Sequence, residues 1–106
     1  MGAKKYDVAI IGGGLAGIFA GYELTVNHPN LKVILLEQGT PIGDRSCPII
    51  DKKVTNCVNC KTCAIMRGFG GAGAFSDGKF NFTTQFGGWL NDYMSDQAVM
   101  NLIEYV

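Results

Sequence analysis

Two groups of residues in this 106-residue chain have types and spacings suited to chemistry. The first is Gly12-Gly13-Gly14-Leu15-Ala16-Gly17, a G-x-G-x-x-G run, followed twenty residues after Gly17 by Glu37 and then Gln38. The second is a set of four cysteines, Cys47, Cys57, Cys60 and Cys63, within seventeen residues. In the glycine run, Gly12 turns the chain sharply, in a conformation a Cβ would resist. Gly14 leaves bare backbone for a pyrophosphate to approach, and Gly17 lets a helix pack closely on a strand. Phosphates then rest on the N–H groups of Leu15 and Ala16, where the helix dipole favours negative charge. Glu37 accepts hydrogen bonds from a ribose diol and repels a 2′-phosphate. Together these residues predict a site for a dinucleotide with an unphosphorylated ribose.

The cysteines leave three readings open. Cys57, Cys60 and Cys63 form C-x2-C-x2-C, and Cys47, followed by Pro48, lies ten residues upstream. Four thiolates supply a full tetrahedral set for zinc or an iron–sulfur cluster. The triplet is similar to a ferredoxin-type run, but the proline-flanked cysteine precedes it. Alternatively, Cys57/Cys60 or Cys60/Cys63 is a redox dithiol, with Lys61 lowering a thiol pKa. In the third reading the thiols stay reduced and simply pack.

The elements that must hold these residues are legible in the flanking pattern. Residues 5–11 are a short apolar run rich in β-branched side chains, which predicts a buried strand. Ala16 to Thr25 predicts a helix, with Ala16, Ala20 and Gly21 joining Gly17 on one small-residue surface. Residues 31–37 predict a second buried strand. Strand, glycine turn, helix, strand and acid place the chain in the α/β class, with a Rossmann-like βαβ unit. A complete sheet of this kind needs at least three parallel strands, and only two are evident. A C-terminal helix with Ser95 as N-cap carries Val99, Leu102, Ile103 and Val106 at helical spacing, without an evident partner for that stripe. The expectation is an incomplete unit, the N-terminal fragment of a larger doubly wound domain. Its parts are a dinucleotide-binding βαβ unit over 1–39, a cysteine-containing loop over 40–67, and a second glycine-rich segment with a strand and helix over 68–106.

In that last part, Gly70, Gly71, Ala72 and Gly73 leave backbone N–H groups bare and are expected to contact a cofactor. Asp77 and Lys79 read as a turn into an alternating strand over 79–84. Trp89, Leu90 and Tyr93 are expected to anchor a second apolar cluster. His28, in Asn27-His28-Pro29-Asn30, reads as a turn residue and not as a base.

The stretches YDVAIIGGGLAGIFAGYEL, VILLEQG, CVNCKTC, GFGGAGAFSDGKFN and FGGWL resemble the N-terminus of the NAD(FAD)-utilising, FAD-dependent dehydrogenases, related to the glutathione-reductase-type flavoproteins. The resemblance implies FAD, with its pyrophosphate on Gly12 to Gly17, its adenosine ribose on Glu37, and Gly70–Gly73 along pyrophosphate and flavin. It also implies NAD(P)H as electron donor to the longer protein, and hydride or electron transfer on a small-molecule substrate or acceptor. His28 departs from the pattern, which often has a further glycine there. An NAD-linked dehydrogenase remains an alternative, since Glu37 suits NAD equally, as does an electron-relay module built on the cysteines.

Nine basic and nine acidic residues balance, so neither nucleic acid nor an anionic membrane surface is implied as partner. Asp7 and Glu23 interrupt the N-terminal apolar stretch, which argues against a signal peptide. Tyr6 stands where myristoylation needs Ser or Thr. No run is long and apolar enough to span a bilayer. The expected location is the cytoplasm, and the expected partner is the remainder of a longer chain. His28 is the only histidine, so no Ser–His–Asp arrangement is evident, and no carboxylate pair suggests hydrolysis; the catalytic residues are unknown from this sequence. Those are expected beyond Val106.

Overall fold

The computed structural model describes residues 2–106, which divide into two compact units, one ending at Ser76 and one running from Asp77 to Val106. In the first unit the elements are β1 (Val8–Ile11), α1 (Leu15–Asn27) and β2 (Val33–Leu36). Both strands are made of Val, Ile, Leu and Ala, and the branched side chains favour extended backbone. They pair in parallel, from Val8 opposite Val33 to Ile11 opposite Leu36. A parallel pair needs a crossover, and α1 supplies it. The ladder extends at both ends, with the Asp7 N–H donating to the Lys32 carbonyl at 2.9 Å and the Gly12 N–H to the Leu36 carbonyl at 2.7 Å. The Asp7 carboxylate also accepts from the Lys32 N–H at 2.8 Å, which fixes where β2 begins.

The helix lies against the strands through glycines. A Cβ on Gly17 would come 2.0 Å from the Gly12 carbonyl oxygen and 3.3 Å from Ile10 Cγ2, and one on Gly21 would come 3.5 Å from Ile10 Cδ1. Four residues apart, Gly17 and Gly21 share a face. Ala16 and Ala20 do not join them as expected. Each is about 100° further round the helix, and both are exposed. The helix stops at Asn27. The His28 N–H closes on the Leu24 carbonyl at 2.8 Å, Pro29 follows, and the Leu31 N–H returns to the His28 carbonyl at 3.0 Å. His28 therefore sits in the expected turn.

The strands are shorter than the 5–11 and 31–37 expected, and no third strand occurs among the described residues. Ile11 is 79% exposed and Leu36 48%. Between β2 and Gly70 the only regular element is a 3₁₀ turn over Ile42–Asp44. A second 3₁₀ turn, Gly71–Phe75, carries the later glycine cluster.

In the second unit, α2 (Asp96–Tyr105) forms where expected. The Ser95 hydroxyl accepts from the Ala98 N–H at 3.3 Å, and Asp96 adds a favourable charge at the dipole's positive end. Val99, 5% exposed, is the one buried apolar side chain among the described residues. The strand expected over 79–84 does not form. A strand needs a ladder partner, and Asp77–Val106 holds none. Local bonds replace it. Asp77 Oδ1 accepts from the Lys79 N–H at 3.1 Å across Gly78, giving the expected turn, and Thr83 Oγ1 accepts from the Gln85 N–H at 3.1 Å. Phe80, Phe82 and Phe86 are exposed, as are the expected anchors Trp89 at 79% and Tyr93 at 85%. No helix among the described residues is long and apolar enough to cross a membrane.

Candidate functional site

The glycine turn opens the front of α1. Gly12 sits at φ +104°, in the region an L side chain avoids. Gly14 is the helix N-cap, and its carbonyl accepts from the Ile18 N–H at 3.0 Å. With no side chain at Gly14, nothing caps the first turn, where Leu15, Ala16 and Gly17 have no intrahelical acceptor. A Cβ at Gly14 would meet nothing within 4 Å. Bare N–H groups and open space there form an anion cradle.

Glu37 reaches back from the end of β2 into that turn. Its Oε2 accepts from the Gly13 N–H at 2.6 Å, and its Oε1 accepts from the Gly39 N–H at 2.8 Å and the Gly68 N–H at 3.1 Å. The Gly13 amide, then that of Gly39, holds the carboxyl below the ordinary glutamate value, with Gly68 adding to the same effect. A carboxylate offers about four acceptor positions, so three bonds leave one for a ligand hydroxyl. Glu37 therefore braces three loops as well as presenting an acceptor. Sequence reasoning supplied only the second of these roles.

The two glycine clusters meet backbone to backbone. The Gly70 N–H donates to the Gly13 carbonyl at 2.8 Å, and a Cβ on Gly71 would lie 3.3 Å from Gly14 Cα. Gly70 and Gly71 both have positive φ, 89° and 60°, which permits this approach. Ala72 and Gly73 continue the 3₁₀ turn and are exposed.

What holds the second cluster there is Arg45, a residue that no sequence signal marked. It is 8% exposed. Its Nε donates to the Ala64 carbonyl at 2.6 Å, Nη2 to Ile65 at 2.7 Å, and Nη1 to Gly71 at 2.8 Å and Phe69 at 3.3 Å. Its Cζ lies 4.7 Å from the Phe75 ring centroid. A guanidinium has five donors in a rigid fork, and here the fork takes carbonyls from four residues of one strand-free segment.

A pocket of about 300 Å³ forms at this junction. Its wall brings together the expected residues Gly12, Gly14, Glu37, Gln38 and Gly71, and adds Arg67 and Gly68. The Gln38 side-chain oxygen accepts from Arg67 at 2.8 Å (Nη1) and 3.2 Å (Nε), so the pair acts as one group. Leu15, Ala16, Gly17, Gly70, Ala72 and Gly73 are not in that wall. A second pocket of about 520 Å³ shares Glu37 and is otherwise lined by Leu35, Gly39, Thr40, Pro41, Ile42 and Phe69. Ile11, Leu36 and Met66 complete the wall of the first pocket, so Glu37 stands between two largely apolar pockets.

The four cysteines line a third cavity, of about 210 Å³, with Ser46, Pro48, Ile49, Val58, Asn59 and Ala64. All four are free thiols. The expected zinc or iron–sulfur ligand set of Cys47, Cys57, Cys60 and Cys63 is not assembled. Among the described residues no three His, Cys, Asp or Glu side chains gather in a metal-holding group. The physical reason is local bonding. The Pro48–Lys53 turn closes on itself, with the Lys53 N–H on the Pro48 carbonyl at 2.8 Å, and Cys57 Sγ accepts from the Asn59 N–H at 3.5 Å. The Met66 and Ile65 amides hold the Cys63 thiol below the ordinary value, helped by the positive charges of Arg67 and Arg45.

Residues 7–46 match the model of an FAD binding domain. The match covers β1, α1, β2 and the approach to Arg45. Over 38 residues the chain is 49% identical to the mitochondrial L-2-hydroxyglutarate dehydrogenase of Dictyostelium discoideum, which is 36% of this chain and 8% of that protein. Over 41 residues it is 38% identical to an uncharacterised protein of Acanthamoeba polyphaga mimivirus, covering 39% of this chain and 8% of the relative. The chain thus matches less than a tenth of the length of either relative. No solved structure matches it. In its first forty-six residues, the chain carries an FAD-binding segment.

Proposed function

We propose that this chain is the FAD-binding portion of a flavin-dependent oxidoreductase, the start of a larger Rossmann-like domain of the glutathione-reductase type. One observation carries the reading. The uncapped first turn of α1, the bare Gly14 and the Glu37 carboxylate converge on one junction, inside the segment that matches an FAD binding domain. The residues fit the group. The first turn holds a pyrophosphate by its N–H groups, and the remaining acceptor position of Glu37 takes a ribose hydroxyl. The apolar wall of Leu35, Pro41, Ile42 and Phe69 suits an adenine, and Arg67 offers a cation beside the phosphates. The pocket beside Gly14, at about 300 Å³, is at the small end for a cofactor site, which suits one part of a dinucleotide. When bound, FAD supplies hydride and electron transfer.

A longer protein is supported by the surfaces left open. Ile11, Leu15, Leu36 and Val26 are half-exposed or more on a two-stranded sheet and its helix, the surfaces that a doubly wound domain covers. The substrate or electron acceptor, a nicotinamide donor and the catalytic residues belong, in this reading, to that remainder. The test is to purify the protein, release its cofactor by denaturation and identify it chromatographically. FAD in stoichiometric amount is the expected result. A colourless protein that binds NAD and not FAD would overturn the proposal.

A further inference from the structure

We infer that Arg45 is a second cation of the dinucleotide site, buried behind the cradle and acting by its charge on the ligand's diphosphate; this rests on the cofactor reading above. Arg45 is 8% exposed, and its bonds all go to neutral acceptors, the carbonyls of Ala64, Ile65, Phe69 and Gly71. It makes no ion pair with any described residue. Carbonyl dipoles solvate a guanidinium but leave its unit charge in place, and a buried charge is costly until an opposite one offsets it. The ligand supplies that opposite charge. The wall of the pocket beside Gly14 holds one carboxylate, Glu37, and one guanidinium, Arg67. These two cancel, so the wall alone offers a diphosphate no net positive charge. Arg45 tips the balance from behind. Its Nη1 bonds to the Gly71 carbonyl at 2.8 Å, and Gly71 both lines that wall and approaches Gly14, where a Cβ on it would lie 3.3 Å from Gly14 Cα. Covalent dimensions along this path put the guanidinium within about 10 Å of Gly14.

At about 10 Å and an effective dielectric constant of about 20, one unit charge acting on another changes a binding constant about tenfold. Salt screens a buried charge less than an exposed one, so the effect persists at ordinary ionic strength. Arg45 therefore has two separable roles. Its fork holds the second glycine cluster in place, which matters equally to every ligand of the cradle. Its charge matters only to a ligand that carries phosphate.

The test compares ADP with adenosine, the same ligand without its diphosphate, on the full chain freed of cofactor. Arg45→Lys keeps the charge and loses the planar fork, whereas Arg45→Gln loses both. ADP is expected to bind Arg45→Gln about tenfold more weakly than Arg45→Lys, while adenosine binds the two alike. Equal affinity of the two variants for ADP, or a parallel loss for adenosine, would make Arg45 a structural clasp alone and overturn the inference. A measurement on the wild-type protein avoids any failure of the variants to fold. The chain has two arginines, Arg45 and Arg67, so their side-chain Nε–H signals are readily told apart by NMR. Saturation with ADP should shift the Arg45 signal and adenosine should leave it in place; an Arg45 signal unmoved by ADP counts against the charge. Failure of the FAD reading is seen separately, in the identity of the released cofactor. NAD carries the same diphosphate, so the ADP comparison decides the role of Arg45 in either case.

Discussion

Replacing Gly17 and Gly14 separately by alanine distinguishes the packing role of the glycine turn from its ligand role. At Gly17 the new Cβ would stand 2.0 Å from the Gly12 carbonyl oxygen, so helix and strand must part by about 1 Å or more to reach ordinary contact. Gly12 cannot yield easily, because its N–H is tied to Leu36 at 2.7 Å. Overpacking of this kind costs about 1–3 kcal/mol. Alanine returns about 0.5–1 kcal/mol through its better helix propensity. The net expectation for Gly17→Ala is a loss of up to about 2.5 kcal/mol, about 1 kcal/mol at the middle of both ranges, or about 5–10 °C in thermal midpoint. At Gly14 the new Cβ meets nothing within 4 Å, and φ −76° is open to any residue. A poorer N-cap costs up to about 1 kcal/mol, and a less flexible unfolded chain offsets about 0.4–1 kcal/mol of it. Stability is therefore expected to stay within about 1 kcal/mol of wild type. The methyl group instead fills the approach to the N–H cradle. Losing one charge-assisted bond, about 1.5–3 kcal/mol, weakens FAD binding about ten- to hundredfold. Thermal unfolding by circular dichroism and titration of flavin fluorescence read the two effects. Should Gly14→Ala bind FAD within twofold of wild type, or Gly17→Ala keep its thermal midpoint, the reasoning is refuted.

Glu37 links stability to pH. Its folded pKa is lowered, so its contribution is full above the unfolded glutamate value of about 4.3 and is lost as pH falls through the folded value. Thermal midpoints measured from pH 6 to pH 3 should fall less steeply in Glu37→Gln than in wild type, and parallel curves would count against the brace. Arg45→Ala strands the carbonyls of Ala64, Ile65, Phe69 and Gly71, at a cost of about 3 kcal/mol or more. Hydrogen exchange should show lost protection at the Gly70 and Gly71 amides, whose bonds hold the second glycine cluster to Gly13 and Gly68. Ser95→Ala should lower the stability of α2 by about 1 kcal/mol, read as faster exchange at the Ala98 amide.

The parts of the molecule that sequence revealed are those whose bonds are local or periodic. α1, α2 and the Ser95 cap are legible because each helix makes its hydrogen bonds within itself. The parallel pair is legible because runs such as Val33–Leu36 are bracketed by a fingerprint whose spacing fixes their order. The alternation over 79–84 had the same look, yet a strand's bonds belong to a partner, and none stands beside Phe80 or Phe82. Arg45 escaped notice because its partners lie nineteen to twenty-six residues away in sequence. An arginine in a polar loop usually faces water, and nothing in Asp44-Arg45-Ser46 says otherwise. The cysteine spacing was visible, but whether it makes a cage or a cavity depends on turns at Pro48 and Asn59 that spacing does not encode.

The bond from Arg45 to the Ala64 carbonyl joins the two ends of the excursion 46–63, which carries every cysteine. Such a clasp makes that excursion a cassette. Its length and contents can change while the clasp keeps its ends in place, since doubling a closed loop costs only about 0.6 kcal/mol. Variation in the cysteine-bearing insert need not disturb the nucleotide cradle, and a chimera carrying a short glycine-serine loop in place of 46–63 should keep the Gly70–Gly13 bond intact. One buried guanidinium thus separates what this chain can exchange from what it must keep.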